Sequence, residues 1–280
     1  MSKVIIVGST GFVGHAINKH LCDSNIKTLE INRHTFNQIL NSKESIHQIV
    51  DYQDSIVFAA AKAPTKNYAD FNENLDLTKK FVNILQNVQF AYLLNISSDA
   101  VYPDLVVPLK EIDALAPTSL HGCMHYARET ILDLSFPGKV GHLRPTSIYG
   151  IGDTHQSYGP NLFLRSLNDF SKIKLFGKGE ELRDHIHIDD VALLSAKMIQ
   201  LSLTETLNAA TGRVVSFKEI AEIFQLLAPH TTIEYVSRTS ETLPHGGYRA
   251  FDISKVKKLL PSFSPIGINT GLASVLNIEY

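Results

Sequence analysis

Only two cysteines, Cys22 and Cys123, occur in 280 residues, too few for a disulfide framework, and neither stands in a C-x-x-C or zinc-type spacing. The chain therefore reads as one that works in a reducing cytoplasm. No apolar run of about 18 residues is present, and the opening Val4-Ile5-Ile6-Val7 is too short for a signal segment, so no membrane span or export is expected. Charge excess is also missing. Lys+Arg number 26 against Asp+Glu 28, a net charge of -2, which argues against a nucleic acid as main partner. Polar low-complexity tracts are absent as well, and 44% hydrophobic with 19% charged residues excludes a disordered chain. The length suits one large domain or two interleaved ones.

What is present is alternation. Short β-branched runs at Val4 to Val7, Ile26 to Ile31, Ile56 to Ala60, Phe90 to Ile96, Val140 to Leu143 and Leu207 to Ala209 read as strands. Between them, Phe12 to Cys22, Phe71 to Leu85, Leu120 to Leu134 and Val191 to Leu201 carry the helical period. Strands alternating with helices predict a parallel sheet covered on both faces. From Gly150 onward Gly, Pro and short mixed segments become common, as expected where a smaller lobe begins, and the chain is expected back at the sheet near Ile188.

Directly after the first strand comes Gly8-Ser9-Thr10-Gly11-Phe12-Val13-Gly14, opening a helix. A turn with so little side chain lets backbone N–H groups approach a pyrophosphate, while the positive end of the helix attracts its charge. In this strand-turn-helix context Gly8, Thr10, Gly11, Phe12 and Gly14 are candidate dinucleotide-binding residues, and the bland alternative is a tight turn alone. The fold class that follows is α/β, a doubly wound parallel sheet of Rossmann type with a smaller C-terminal lobe. We divide it into 1–160 and 187–211 for the dinucleotide domain and 161–186 and 212–280 for the substrate lobe. The second strand ends in Asn32-Arg33 where an acid would hold the adenosine ribose of NAD. A neutral Asn and a guanidinium suit a 2′-phosphate, so NADP(H) is favoured and NAD(H) remains open; Arg33 as a solvated charge, or stacked on adenine, is the competing reading.

Further motifs bring in a family. Phe58-Ala59-Ala60-Ala61, Asn74 with Thr78, Asn95-Ile96-Ser97-Ser98-Asp99-Ala100-Val101-Tyr102 and Leu143-Arg144-Pro145-Thr146-Ser147-Ile148-Tyr149-Gly150 resemble segments of the extended short-chain dehydrogenase/reductases. The long run from Phe176 through Arg183-Asp184-His185 to Asp190-Val191-Ala192 resembles the block typical of that family's nucleotide-sugar epimerases, dehydratases and reductases. The resemblance runs nearly end to end. It implies a nucleotide-sugar substrate, with Ala59, Ala60 and Ala61 beneath the cofactor, Arg144 in a loop flanking the nicotinamide, and Ser98 as the catalytic hydroxyl with Asp99 beside the substrate. Arg183 would hold the diphosphate, helped by Arg249 and Asn161; the competing reading pairs Arg183 with Asp189 or Asp190. A homodimer through the helices near Phe71 to Leu85 and Leu120 to Leu134 is also implied, with Phe81, Leu85, Ile131 and Leu134 at the interface or in the core.

The family's Tyr-x-x-x-Lys is missing. Its register falls on His121 and His125, with Glu129 on the acidic position that often follows. Residues i and i+4 share a helix face. An imidazole titrating near ~6.5 exchanges protons at neutral pH without the help a phenol near ~10 needs, so the double replacement is chemically coherent. His121 is the expected acid/base and His125 the residue that orients the nicotinamide ribose. A metal at the pair lacks a third ligand by spacing, and none is expected. Ala100 stands where dehydratases of the resembling kind carry a carboxylate, which disfavours water elimination. Epimerisation through a transient keto sugar is narrowly preferred, reduction of a 4-keto sugar is the alternative, and a non-catalytic NADP(H)-binding sensor or scaffold is the reading from another class.

Overall fold

A computed structural model describes residues 2–41, 46–153, 158–170, 172–238 and 243–276. In chain order its first half contains β1 (Val4–Val7), α1 (Phe12–Asp23), β2 (Thr28–Ile31), α2 (Arg33–Asn41), β3 (Ser55–Phe58), α3 (Tyr68–Leu85), β4 (Tyr92–Ile96), α4 (Leu120–Ser135) and β5 (Val140–Pro145). Then follow β6 (Ser147–Tyr149), α5 (Pro160–Phe170), β7 (Lys172–Phe176), β8 (Leu182–His187), α6 (Ile188–Gln200) and β9 (Thr206–Ala209). The chain closes with β10 (Val214–Ser216), α7 (Phe217–Leu227), β11 (Thr232–Val236), β12 (Tyr248–Arg249), α8 (Ser254–Leu259) and α9 (Ile268–Val275). Two short 3₁₀ turns, Ile46–Gln48 and Asp99–Val101, lie in the first half.

Six strands form one sheet in the order β2-β1-β3-β4-β5-β9. Pairing is parallel from β2 through β5, with Val7 opposite both Ile31 and Phe58, and Phe58 opposite Asn95. Order reversal at β1 is that of a doubly wound sheet, whose crevice opens at the carboxyl ends of the strands. β1 and β4 are buried along their whole length, which is why they read as continuous apolar runs rather than alternating ones. The core on the α3 and α4 side gathers Phe58, Phe81, Leu85, Leu93 and Leu132, with Phe58 and Phe81 stacked at 4.0 Å. Each such phenyl ring contributes about 1.5–3 kcal/mol by its burial.

The chain divides into two compact units, 1–103 with 114–145 and 191–207, and 104–113 with 146–190 and 208–280. The boundaries expected from composition differ from these in four segments. Residues 146–160 and 187–190 join the second unit because β6 pairs with β8, Ser147 to Tyr149 against His185 to His187. Residues 104–113 join it because Leu109 bridges to Phe251 and exchanges backbone bonds with Ala250 and Asp252. Residues 208–211 join it because Asp184 gathers the Thr211 and Gly212 N–H groups. In the second unit β10, β8 and β12 form a sheet, β11 pairs with β7, and Phe163, Phe217 and Phe224 fill a core of their own.

The residues left open between a dimer face and the core divide. Phe81 and Leu85 are core, since their side of α3 lies on the sheet. Leu134 on α4 is 80% exposed.

Candidate functional site

The turn between β1 and α1 is built by close approach. Gly8 has φ +96, and a Cβ there would stand 2.6 Å from the Ala60 nitrogen. A Cβ on Gly14 would stand 2.1 Å from the Gly8 carbonyl oxygen, so this third glycine packs the helix against the turn. α1 starts after Gly11 with no side-chain cap, which leaves the N–H groups of its first turn for an anion.

A cavity of about 380 Å³ opens over this turn. Gly8, Thr10 and Gly11 line it from β1 to α1, Asn32 and Arg33 from the end of β2, and Ala59, Ala60 and Ala61 from the end of β3. Eight expected cofactor residues thus meet at one cavity, and its glycine floor fits a dinucleotide. Phe12 and Gly14 do not line it. Asn32 Oδ1 accepts the Thr35 N–H at 2.9 Å and so caps α2. Arg33 is 80% exposed and lies 3.6 Å from Glu73.

The second cluster rises from α4. Ser119 caps the helix by accepting the Gly122 N–H at 3.1 Å, and α4 packs against the 3₁₀ turn after β4. Gly122 is the contact residue: a Cβ there would meet the Ala100 carbonyl at 2.0 Å. Ser98 heads that turn, accepting the Ala100 N–H at 3.1 Å, with its hydroxyl 3.5 Å from Asp99 Oδ1. His121 and His125 stack edge to face on α4 with ring centroids 4.6 Å apart.

His121 is fixed from another direction. Asn74 on α3 accepts the Lys62 N–H at 2.8 Å through Oδ1 and donates from Nδ2 to the Lys62 carbonyl and the Thr65 hydroxyl. The loop so held gives its Thr65 N–H to His121 Nδ1 at 3.4 Å. An Nδ1 that accepts leaves the neutral ring's hydrogen on Nε2. His125 is buried and its Nδ1 has no partner among the described residues. Burial first, then His121 and Arg128, hold it well below the usual imidazole range, so it is neutral at pH 7.

Three of the expected residues have protein partners. Arg144 braces the site: Nε and Nη2 donate to the Glu129 carboxylate at 2.9 and 2.6 Å, and Nη1 to the Tyr102 hydroxyl at 2.9 Å. This uses Glu129, the acid after the His pair, to lock α4 onto β5. Asn161 ties the end of β6, accepting the Gly150 N–H at 3.1 Å and donating to the Ile148 carbonyl at 3.0 Å. Arg249 is buried against Asp104, 3.1 Å away.

In the second unit Arg183 pairs with neither Asp189 nor Asp190. Its Nη2 lies 3.3 Å from Glu181, and its guanidinium sits 5.8 Å from the Phe217 ring centre. Glu181 is also held by Arg238 at 2.6 Å. Asp190 accepts the Ile266 N–H, and the neighbouring Asp184 accepts the N–H groups of Thr211 and Gly212.

Sequence reasoning missed Thr65, Lys62 and Glu73. The signal available for the first was Asn74, a buried amide that needs backbone partners somewhere. No signal announced the second and third, which line the cavity from the loop before α3 and from α3 itself.

Residues 4–210 match the model of the NAD dependent epimerase/dehydratase family. Over 97% of the chain and 94% of the relative, the sequence is 22% identical to GDP-L-fucose synthase of Escherichia coli strain K12. It is 24% identical to dTDP-4-dehydro-6-deoxyglucose reductase of Escherichia coli, covering 79% of this chain and 80% of that one. Among solved structures, MoeE5 in complex with UDP-glucose and NAD superposes with a TM-score of 0.81 at 21% identity, covering 99% of this chain and 98% of that one.

Proposed function

The chain belongs to the NAD-dependent epimerase/dehydratase family, and on that premise we propose that it reduces a keto group of a nucleotide-activated sugar. The observation that carries the reading is the Thr65 N–H on His121 Nδ1. A ring held with hydrogen on Nε2 offers a donor, which a ketone oxygen needs, and lacks the lone pair that a hydroxyl proton needs. Ser98, whose oxygen accepts from Ala100 and whose hydrogen is given to Asp99 Oδ1 over a long 3.5 Å, would turn that hydrogen to the same oxygen.

When bound, the nicotinamide cofactor supplies the hydride. The residues of this chain supply the rest. His121 takes up a proton from solvent at Nδ1, giving up the long Thr65 contact, and the resulting imidazolium passes its Nε2 proton to the oxygen as the carbinol forms, leaving a neutral ring with hydrogen on Nδ1. Ser98 polarises the carbonyl beforehand. Gly8, Gly11 and the first turn of α1 hold the pyrophosphate, and Arg33 at the start of α2 supports NADP(H) over NAD(H). Arg183 is the proposed contact to the substrate diphosphate, supported by the resemblance of its block and by a planar guanidinium that shares the Glu181 carboxylate with Arg238. The name of one curated relative, a reductase of a keto nucleotide sugar, supports the same direction.

Epimerisation is the second reading, favoured by the Arg183 block, because reversible hydride transfer at a carbinol uses the same side chains. Pure protein incubated with UDP-, GDP-, dTDP- and CMP-sugars and their 4-keto forms separates the two. Oxidation of NADPH in step with keto-sugar loss supports reduction; an epimer formed without net cofactor change supports the second reading. Binding without turnover would leave a sensor or scaffold. The reading includes a homodimer across α3 and α4, where Tyr126 and Leu134 are exposed, and light scattering at micromolar concentration tests it.

A further inference from the structure

His121, His125 and Arg128 stand at i, i+4 and i+7 on α4, one stripe running from the site into the interior. Arg128 is fully buried, and none of Nε, Nη1 and Nη2 has a hydrogen-bond partner among the described residues. Its guanidinium lies on the Phe58 ring, 4.5 Å from the centre. A buried cation without an anion is expensive, and replacing it by an apolar side chain of similar size ordinarily stabilises a protein. Packing alone gives no reason for a charge here.

We propose that Arg128 is a positioning residue whose charge keeps His125 neutral and so leaves the transferable proton of the pair on His121. The proposal rests on the reading of His121 as the acid. Two imidazoles with centroids 4.6 Å apart compete for one proton; burial of His125 tips the competition first, and the positive charge one turn below it adds to the same bias. Burial pulls the guanidinium down only to about 10, so it is charged at neutral pH.

Among the described residues, no other group nearby cancels that charge. On α4 itself Glu129 is paired with Arg144, and Asp133 with His142 of β5. Of the ionisable side chains on α3, Asp70 and Glu73 hold Lys62, Asp76 holds Lys80, and Tyr68 and Lys79 are exposed. β3, which carries Phe58, has no ionisable side chain. The 3₁₀ turn packed on α4 brings only Asp99, beside the Ser98 hydroxyl. Arg128 thus supplies the fixed positive charge that a lysine at position 125 would have carried, but from within the core.

The test is a titration of the imidazole nitrogens by ¹H–¹⁵N NMR from pH 8 down to the lowest pH at which the fold persists, with His125→Gln used for assignment. In the wild type His125 stays neutral from pH 8 to pH 5. In Arg128→Met its titration should rise by roughly one pH unit or more, as expected for loss of an adjacent like charge, while Arg128→Lys should behave as the wild type. The acid limb of the turnover profile should move with the NMR shift. Identical His125 titration in wild type and Arg128→Met overturns the proposal. Should Arg128→Met not fold, Arg128→Gln against Arg128→Lys reads the same shift, and no difference between them overturns it equally. Failure of the acid assignment itself would appear separately, as unimpaired turnover in His121→Phe.

Discussion

The backbone N–H of Thr65 points at His121 Nδ1 across 3.4 Å, joining residues 56 positions apart. This contact places the neutral ring's hydrogen on Nε2. His121→Phe should therefore lose about a hundredfold to ten-thousandfold in turnover, the usual contribution of a general acid/base, while binding NADP(H) as before. Stopped-flow absorbance and calorimetry read the two halves. Wild-type turnover on an authentic substrate would put the acid elsewhere.

Gly122 lets α4 close on the Ala100 carbonyl, and Gly122→Ala would put a Cβ 2.0 Å from that oxygen. One backbone or the other must give. We expect a loss of about 1–3 kcal/mol in stability, the usual range for overpacking, despite alanine's better helix propensity. Turnover should fall too, because Ser98 heads the displaced turn. A raised Tm would show the approach to be looser than the geometry implies.

Arg33 separates the two nicotinamide cofactors in this reading. It is exposed and its ion pair with Glu73 spans 3.6 Å, so it can turn to a 2′-phosphate. Arg33→Ala should weaken NADP(H) roughly tenfold, about 1.4 kcal/mol, and leave NAD(H) nearly unchanged. Equal affinities of the wild type for both would remove the role.

Arg183→Ala should weaken nucleotide-sugar binding by about 2–5 kcal/mol, the range for truncating a buried charged donor, without disturbing the cofactor. Glu181 keeps Arg238 at 2.6 Å in the variant, so the fold should survive. Unchanged sugar-nucleotide affinity would mean that this strand reads something else.

Burial pushes the Asp184 carboxyl up to about 6 from an ordinary 3.8, against the N–H groups of Thr211, Gly212 and Arg213 that favour its charged form. A carboxyl raised on folding binds its proton more tightly in the native state than unfolded. Its contribution to stability is therefore complete below pH 3.8 and is lost as pH rises through about 6. Asp190, also raised to about 6 by burial, adds a decline in the same window. Urea unfolding of wild type and Asp184→Asn from pH 4 to 7 should show a gap that changes through that window. A constant gap would assign the titration to other groups.

Val4 to Val7 is the observed β1 residue for residue, and the helix expected from Phe12 begins at Phe12, because an apolar run and a glycine turn are local facts that need no partner to be read. The eight residues around the dinucleotide cavity were legible for the same reason: strand ends in a doubly wound sheet converge wherever the order reverses. α2 was not legible, since its polar sequence reaches the core mainly through Phe36. Nor were the partners of Arg144, Asn161 and Arg249, three polar side chains that a motif can bring to a neighbourhood but cannot aim. Arg144 meets an acid 15 positions back and Arg249 one 145 positions back. Sequence determined the fold class, the glycine turn after β1 and the i, i+4 spacing of His121 and His125 on one helix face. Tertiary structure alone decided which nitrogen of His121 bears hydrogen, that His125 is neutral, and that a buried positive charge lies below the pair at Arg128, because those depend on desolvation and on contacts between segments that no local pattern encodes.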